Sequence, residues 1–248
     1  MKNADYWKSR AEQVILESER SVLDYEKRLQ DVYDIALVTI RKDIELFFAK
    51  FAKQNKLPYA EVRRRLTPSE LKPYQVQLKE WYRLAQEMNM SAEFKSYLKE
   101  VGAKTYISRL QSLESSIRFE IERLAAEKID GYTTLLSDNY LAAYYSNYYT
   151  LSSGLELSVN FATIDKTGID TAIRTRWDGA NYSDRIWKDK DKLVQTMEKI
   201  LPQSFSRGLN SRELGDMIAK ELGTSKSYGR TLARTEVNNL CNQASLNV

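Results

Sequence analysis

Histidine is absent from this 248-residue chain, and cysteine occurs once. Without an imidazole, Ser-His-Asp triads, Cys-His dyads and Cys/His zinc sites are excluded within it, and a single thiol cannot build a disulfide framework. Glycine (nine) and proline (four) are scarce, so the chain has few intrinsic breaks. No uncharged apolar run approaches the roughly 20 residues needed to span a bilayer, and the N-terminus lacks the apolar core of a signal peptide. The sequence therefore predicts a soluble protein made in the cytoplasm. Charge of one sign is also missing: 38 basic residues face 34 acidic ones, which speaks against a histone-like compactor of DNA. There is no Gly-rich phosphate loop, no His base and no DxD-type carboxylate cluster near a plausible strand. No catalytic residue, cofactor or metal ligand is predicted.

What is present is helical periodicity. From Asp5 to Lys56 there is neither Gly nor Pro, and Trp7, Ala11, Val14, Ser18, Val22, Tyr25, Leu29, Val32, Ala36, Ile40, Ile44 and Phe47 step by three and four. An unbroken helix of about 50 residues would extend roughly 75 Å. Such a helix projects, breaks, or pairs with another long one. Its natural partner is Lys104 to Lys128, where Ile107, Leu110, Leu113, Ile117, Ile121 and Leu124 recur at the same spacing. Two such helices bury both apolar faces as an antiparallel hairpin or small bundle, with Gly131 kinking or ending the second.

Between them, Thr67-Pro68-Ser69-Glu70 forms a capping box with Pro at the first helical position, opening a helix that ends near Asn89. Ser91 caps a further helix through Val101. Arg63, Arg64 and Arg65 read as a solvated helix end, with nucleic-acid contact as the alternative. Asn139 to Leu155 carries no charge and holds Tyr140, Tyr144, Tyr145, Tyr148 and Tyr149, either packed in the core or forming an aromatic surface for a partner. Ser152-Ser153-Gly154 reads as a turn. Leu155 to Ile164 alternates enough for one short strand.

A short helix over Ile169–Trp177 leads to a turn at Asp178–Asn181 and a helix capped by Ser183 that reaches about Ile200, short of Pro202. Asn210 to Glu213 has capping-box spacing, and Leu214, Met217, Ile218 and Leu222 continue from it towards Gly223, which marks a helix end. A second helix then begins at Ser225 or Ser227. In it Ala233, Val237, Leu240, Cys241 and Ala244 form an apolar stripe, so Cys241 reads as a buried structural thiol. Arg230, Arg234, Asn238 and Asn242 lie four apart on another face.

These last motifs carry a resemblance. Gly208, Ser211 and Glu213 at a turn into a helix, followed by Arg230, Ala233, Arg234, Thr235, Glu236, Asn238 and Asn242, resemble the tailed-phage minor head proteins, also called Mu F-like head-morphogenesis proteins. Trp177-Asp-Gly-Ala-Asn-Tyr-Ser-Asp-Arg-Ile-Trp187 is similar to the Trp-x-Gly-x-x-(Tyr/Phe)-Ser-x-Arg-Ile-Trp segment of that family, and Tyr6-Trp7-Lys-x-Arg10 fits its usual start. The three matches stand in the family's order.

A mainly α protein is expected, with a long-helix arm over 1–155 and a smaller helical domain over 156–248 that continues past the last residue here. The resemblance implies a structural minor head protein that assembles with portal protein, scaffold or major capsid protein, in the host cytoplasm and then inside the virion head, without a membrane. Candidate interaction residues are Trp177, Arg185, Trp187, Arg230, Arg234, Thr235, Glu236, Asn238 and Asn242. Of these Arg230, Arg234, Asn238 and Asn242 would orient a neighbouring backbone or phosphate, while Trp177, Arg185 and Trp187 read as local packing that fixes the turn, with a cation–π or stacking contact to a partner as the alternative. Two other functions stand beside this one. Relatives of the family can carry toxin or nuclease domains beyond the shared region, so the chain is alternatively the delivery or adaptor part of a phage-encoded enzyme whose catalytic domain lies beyond residue 248. Within this chain, Glu236 falls about 200° around a helix from Arg234, so the two diverge. The last reading is a module making weak, non-specific and salt-sensitive DNA contact.

Overall fold

The structure, a computed structural model, describes residues 4–53, 56–154 and 166–246, with side chains for all of these except 4, 6, 7, 10, 11, 153, 154 and 246. The chain is mainly α, as its periodicity predicts. Among the described residues the helices are α1 (Ala4–Phe51), α2 (Tyr59–Val62), α3 (Pro68–Glu87), α4 (Ala92–Ala103), α5 (Arg109–Gly154), α6 (Lys166–Ile173), α7 (Tyr182–Ser206) and α8 (Ser211–Leu246). Their β-type pairing is limited to isolated bridges, such as Arg65 with Ser108. The strand expected over Leu155–Ile164 and the side chain of Trp7 lie outside the described residues.

Contacts divide the chain into two compact units, each drawn from separated stretches. Unit 1 takes Met1–Gln30, Ile129–Ile186 and Ser227–Val248, and unit 2 takes Asp31–Lys128 and Trp187–Lys226. In unit 1, α1 and α5 run antiparallel: Ser21 donates to Asn139 Oδ1 at 3.0 Å, and one turn on the Tyr25 ring meets Tyr132 edge-on, 4.9 Å between centroids. In unit 2 the pairing of these helices is again antiparallel, with Lys128 Nζ 2.9 Å from the Tyr33 hydroxyl and Ser116 donating to Asp43. There the stripe Ala36, Ile40, Ile44 and Phe47 is buried, and Phe205 of α7 lies 5.9 Å from the Phe47 ring and stacks on Phe48 at 5.7 Å. The α3–α4 pair closes over Phe119, which Trp81 stacks on at 5.3 Å. Each large side chain so buried contributes about 1.5–3 kcal/mol.

Caps that are local in sequence form as expected. Glu70 accepts from the Thr67 N–H at 2.8 Å, Ser91 from the Phe94 N–H at 3.1 Å, and Asn210 and Glu213 bond reciprocally at 3.0 and 2.9 Å. Before α8, Gly208 holds φ +72° while Leu209 N–H donates to Ser204 O at 3.0 Å, the left-handed ending that stops α7.

Several helix boundaries differ from those expected. The first helix ends at Phe51, short of Lys56, and the second long one starts at Arg109, where Ser108 and Gln111 cap it reciprocally. Gly131 does not end α5, which runs on to Gly154. A Cβ there would lie 2.9 Å from the Tyr25 ring, so glycine permits α1 and α5 to approach. Gly131→Val is accordingly expected to lower stability by about 1–3 kcal/mol, read by urea unfolding; unchanged stability would mean that the ring yields freely. Residues 152–154 continue α5 instead of turning. Asn181, not Ser183, caps α7: its Oδ1 accepts from Asp184 N–H at 2.9 Å, and Asp184 accepts from Asn181 N–H at 3.2 Å. Pro202 lies inside α7 because Leu201, Ser204 and Phe205 are buried around it, outweighing a proline cost of about 3 kcal/mol.

The two helices expected after Asn210 are one helix, α8. Gly223 does not end it, since Leu222, Ser225, Leu232, Glu236 and Leu240 remain buried at helical spacing through the serines and glycines. The short helix α6 covers Lys166–Ile173 and leaves Trp177 to the turn.

Candidate interaction site

Three of the sequence-picked residues converge in unit 1. After α6 the backbone turns through Asp178 (φ +53°) and Gly179 (φ +79°), with Trp177 bridged to Ala180. Arg185, one turn into α7, folds back so that its guanidinium lies 4.4 Å from the Trp177 ring centroid. Its Nη2 donates to Trp177 O at 2.9 Å and Ala180 O at 3.4 Å, closing the turn. Glu236 of α8 reaches this cluster from a position 5% exposed. Its Oε2 accepts from Trp177 Nε1 at 2.8 Å, and its Oε1 lies 3.4 Å from Arg185 Nε, an ionic contact without hydrogen-bond geometry.

Burial pushes the Glu236 carboxyl above its ordinary pKa, and the Trp177 bond and Arg185 charge only partly oppose this. Its folded-state pKa therefore exceeds its unfolded one, so the folded chain holds this proton more tightly. The contribution to stability is fullest below about pH 4, the ordinary carboxyl range, and is lost as pH rises through the raised value. Glu236→Gln is expected to flatten this segment of the stability–pH profile relative to wild type in urea midpoints; parallel profiles would refute it.

The other picked residues fall elsewhere. Arg234 is held by α1: its Nε and Nη2 donate to the two Glu26 oxygens at 2.7 and 3.0 Å. Arg230 donates to Gln30 Oε1 at 2.9 Å. Thr235 is exposed and donates to Thr231 O within its own helix. Asn238 and Asn242 are exposed, and Asn238 borders a groove between α1 and α8. Trp187 belongs to unit 2, half-buried with the Lys190 ammonium 5.3 Å from its ring. Arg234 and Glu236 thus diverge as helix geometry requires.

Sequence reasoning missed Glu26 and Gln30, for which no local signal exists. It also missed a buried polar network in unit 2. Lys190 Nζ bonds Glu122 at 3.0 Å, and Ser91 donates to the other Glu122 oxygen at 2.8 Å. Lys128 bonds Asp189 at 2.9 Å, and Ser225 donates to the same carboxylate at 2.5 Å. Burial alone would lower the Lys128 pKa, but Tyr33 and Asp189 outweigh it and raise it.

The three arginines after α2 have local partners: Arg64 pairs with Glu61 at 3.0 Å, Arg63 lies over Tyr59 and Arg65 over Tyr106. The tyrosine run splits between core and surface. Tyr140 is buried, Tyr144 stacks on it and on Tyr148, and Tyr149 is exposed. Cys241 is half-buried rather than fully so, and burial pushes its thiol pKa up against a Ser18 hydrogen bond. Among the described residues there is no group of three or more acidic or Cys side chains placed to hold a metal ion, and no helix long and apolar enough to cross a membrane.

No family model and no solved structure matches the chain. Among curated proteins it is similar to NAD(+)--arginine ADP-ribosyltransferase EFV of Enterococcus faecalis (strain ATCC 700802 / V583), with 26% identity over 147 residues. The matched stretch is 54% of this chain and 30% of that protein, so the chain spans under a third of the relative's length.

Proposed function

We propose that the chain is a structural minor head protein of a tailed bacteriophage or prophage, acting without catalysis of its own in procapsid assembly near the portal. One observation supports this reading above others: five of the residues that carry the family resemblance link helices of one module, with Glu236 buried, Trp177, Arg185 and Arg230 half-buried and Arg234 exposed. Trp177, Arg185 and Glu236 join the turn before α7 to α8, while Arg230 and Arg234 tie α8 to α1. A motif spent on joining helices marks a shared scaffold rather than a shared active site. Its partners are portal, scaffold or major capsid protein, with weak DNA contact, in the host cytoplasm and later inside the head.

The partial likeness to an ADP-ribosyltransferase supports a second reading, in which this helical module precedes a catalytic domain in a longer toxin. The two separate on measurement. Co-purification with the portal protein at about 0.15 and about 0.5 M salt tests the first, the salt comparison reporting how much of the contact is electrostatic. Arg234→Ala is expected to reduce retention more than it lowers the melting temperature; equal losses would leave Arg234 a purely structural residue. Absence of retention, together with salt-sensitive DNA binding, would remove support for the portal role. Transfer of labelled ADP-ribose from NAD+ by this chain alone would overturn the non-catalytic reading.

A further inference from the structure

The N-terminal part of α1 repeats a seven-residue pattern that is satisfied at one end and open at the other. Glu12, Glu19 and Glu26 stand seven apart, and Leu16 and Leu23 each follow a glutamate by four positions, on the same helical face. At Glu26 the carboxylate takes both forks of the Arg234 guanidinium from the antiparallel α8. One turn beyond Arg234, α8 carries the uncharged Asn238, and a groove of about 260 Å³ opens there beside Glu19, lined by Ser18, Glu19, Val22, Leu23, Arg234 and Asn238. Glu19 is exposed, as is Glu12. Leu16 and Leu23 are 63% and 53% exposed, and Ile15 beside them 55%.

We infer that this face of α1 binds an amphipathic helix of a partner protein, with an arginine or lysine of that helix entering the groove to reach Glu19. The filled Glu26 site shows which chemistry the repeat recognises: a guanidinium delivered by a helix packed alongside. Val22 and Leu23 form an aliphatic wall for the stem of a long basic side chain, whose head then meets the Glu19 carboxylate and the Asn238 amide oxygen. Arg234 does not repel it strongly, being neutralised by Glu26. Leu16 and Leu23, two turns apart, set the spacing of the partner's apolar residues, and Glu12 supplies a second basic contact one repeat away. The inference is independent of the role proposed above.

The test uses the full chain and a labelled synthetic helical peptide that repeats leucine and arginine every seven residues or so, followed by fluorescence anisotropy. Wild type is expected to bind it, while a peptide with glutamate for arginine does not. Glu19→Lys and Leu23→Glu should each weaken binding at least about tenfold. Both positions are exposed, so the variants should melt with wild type; should either fail to fold, Glu12→Lys serves in its place. No binding at about 100 µM peptide, or equal binding by the variants, overturns the inference. So does a dimer in sedimentation that Leu16→Lys dissociates, since a second copy would then be the occupant.

Discussion

Replacing Lys190 by Met is expected to destabilise unit 2 by about 3–5 kcal/mol, the cost of leaving a buried charge without its partner. Glu122 is 0% exposed and Lys190 4%, and their ion pair at 3.0 Å sits on α5 and α7. Removal of the ammonium leaves Glu122 with the Ser91 hydroxyl at 2.8 Å as its remaining hydrogen-bond donor. One neutral donor cannot offset the desolvation of a carboxylate. The intact pair is a different matter, because attraction and desolvation nearly cancel within it. Lys190→Met combined with Glu122→Met should therefore recover more than half of the loss, since two apolar chains of similar volume fill the same space. Urea unfolding of the single and double variants measures the coupling. A loss below about 1 kcal/mol for Lys190→Met alone would mean that water reaches Glu122 and that the site behaves as a surface pair.

That pair also shows where a sequence stops speaking. Helical periodicity identifies α1, which buries one stripe, and α5, where Leu110, Leu113, Ile117, Ile121 and Leu124 recur by three and four although neighbours such as Phe119, Glu120 and Glu122 are buried as well. Caps such as Thr67, Ser91 and Asn210 are legible because their partners lie three residues on. Glu122 and Lys190 look like solvated positions among other charges, and only the approach of α5 to α7, 68 positions apart in the chain, buries them. The misplaced breaks have the same origin. Gly131, Pro202 and Gly223 carry helix-breaking propensity, yet a cost of about 1–3 kcal/mol per residue is smaller than the burial gained by continuing. At the candidate site, Trp177, Arg185 and Glu236 were identifiable as residues through the family resemblance. Their convergence was not, because Trp177 and Glu236 meet across 59 positions and Arg234 finds Glu26 across 208. Grouping of the chain into two units from non-consecutive stretches is likewise a property of contacts, which spacing cannot reveal.

Tyr132→Ala should cost unit 1 about 3–5 kcal/mol, as expected for removal of a fully buried aromatic ring. Tyr132 is 0% exposed and touches three other helices at once. Its ring meets Tyr25 of α1 edge-on at 4.9 Å and stacks on Tyr182 of α7 at 6.1 Å, while its hydroxyl donates to Gly229 O of α8. Tyr132→Phe keeps the ring contacts and removes only the hydroxyl bond, so its cost should be about 1 kcal/mol. The contrast between the variants separates packing from hydrogen bonding at the point where the helices join. It also bears on the candidate site. Tyr182 opens α7 three residues before Arg185, and its own hydroxyl is anchored 2.7 Å from Thr133 on α5. Loss of the Tyr132 ring withdraws the platform under that first turn and should loosen the Arg185 guanidinium from Trp177, red-shifting tryptophan emission at temperatures where the helices remain folded by circular dichroism. Tyr132→Phe should leave emission unchanged. If Tyr132→Ala unfolds with wild-type stability, or if both variants cost the same, the ring is not the structural centre of unit 1 and the placement of Arg185 depends on the turn at 177–181 alone.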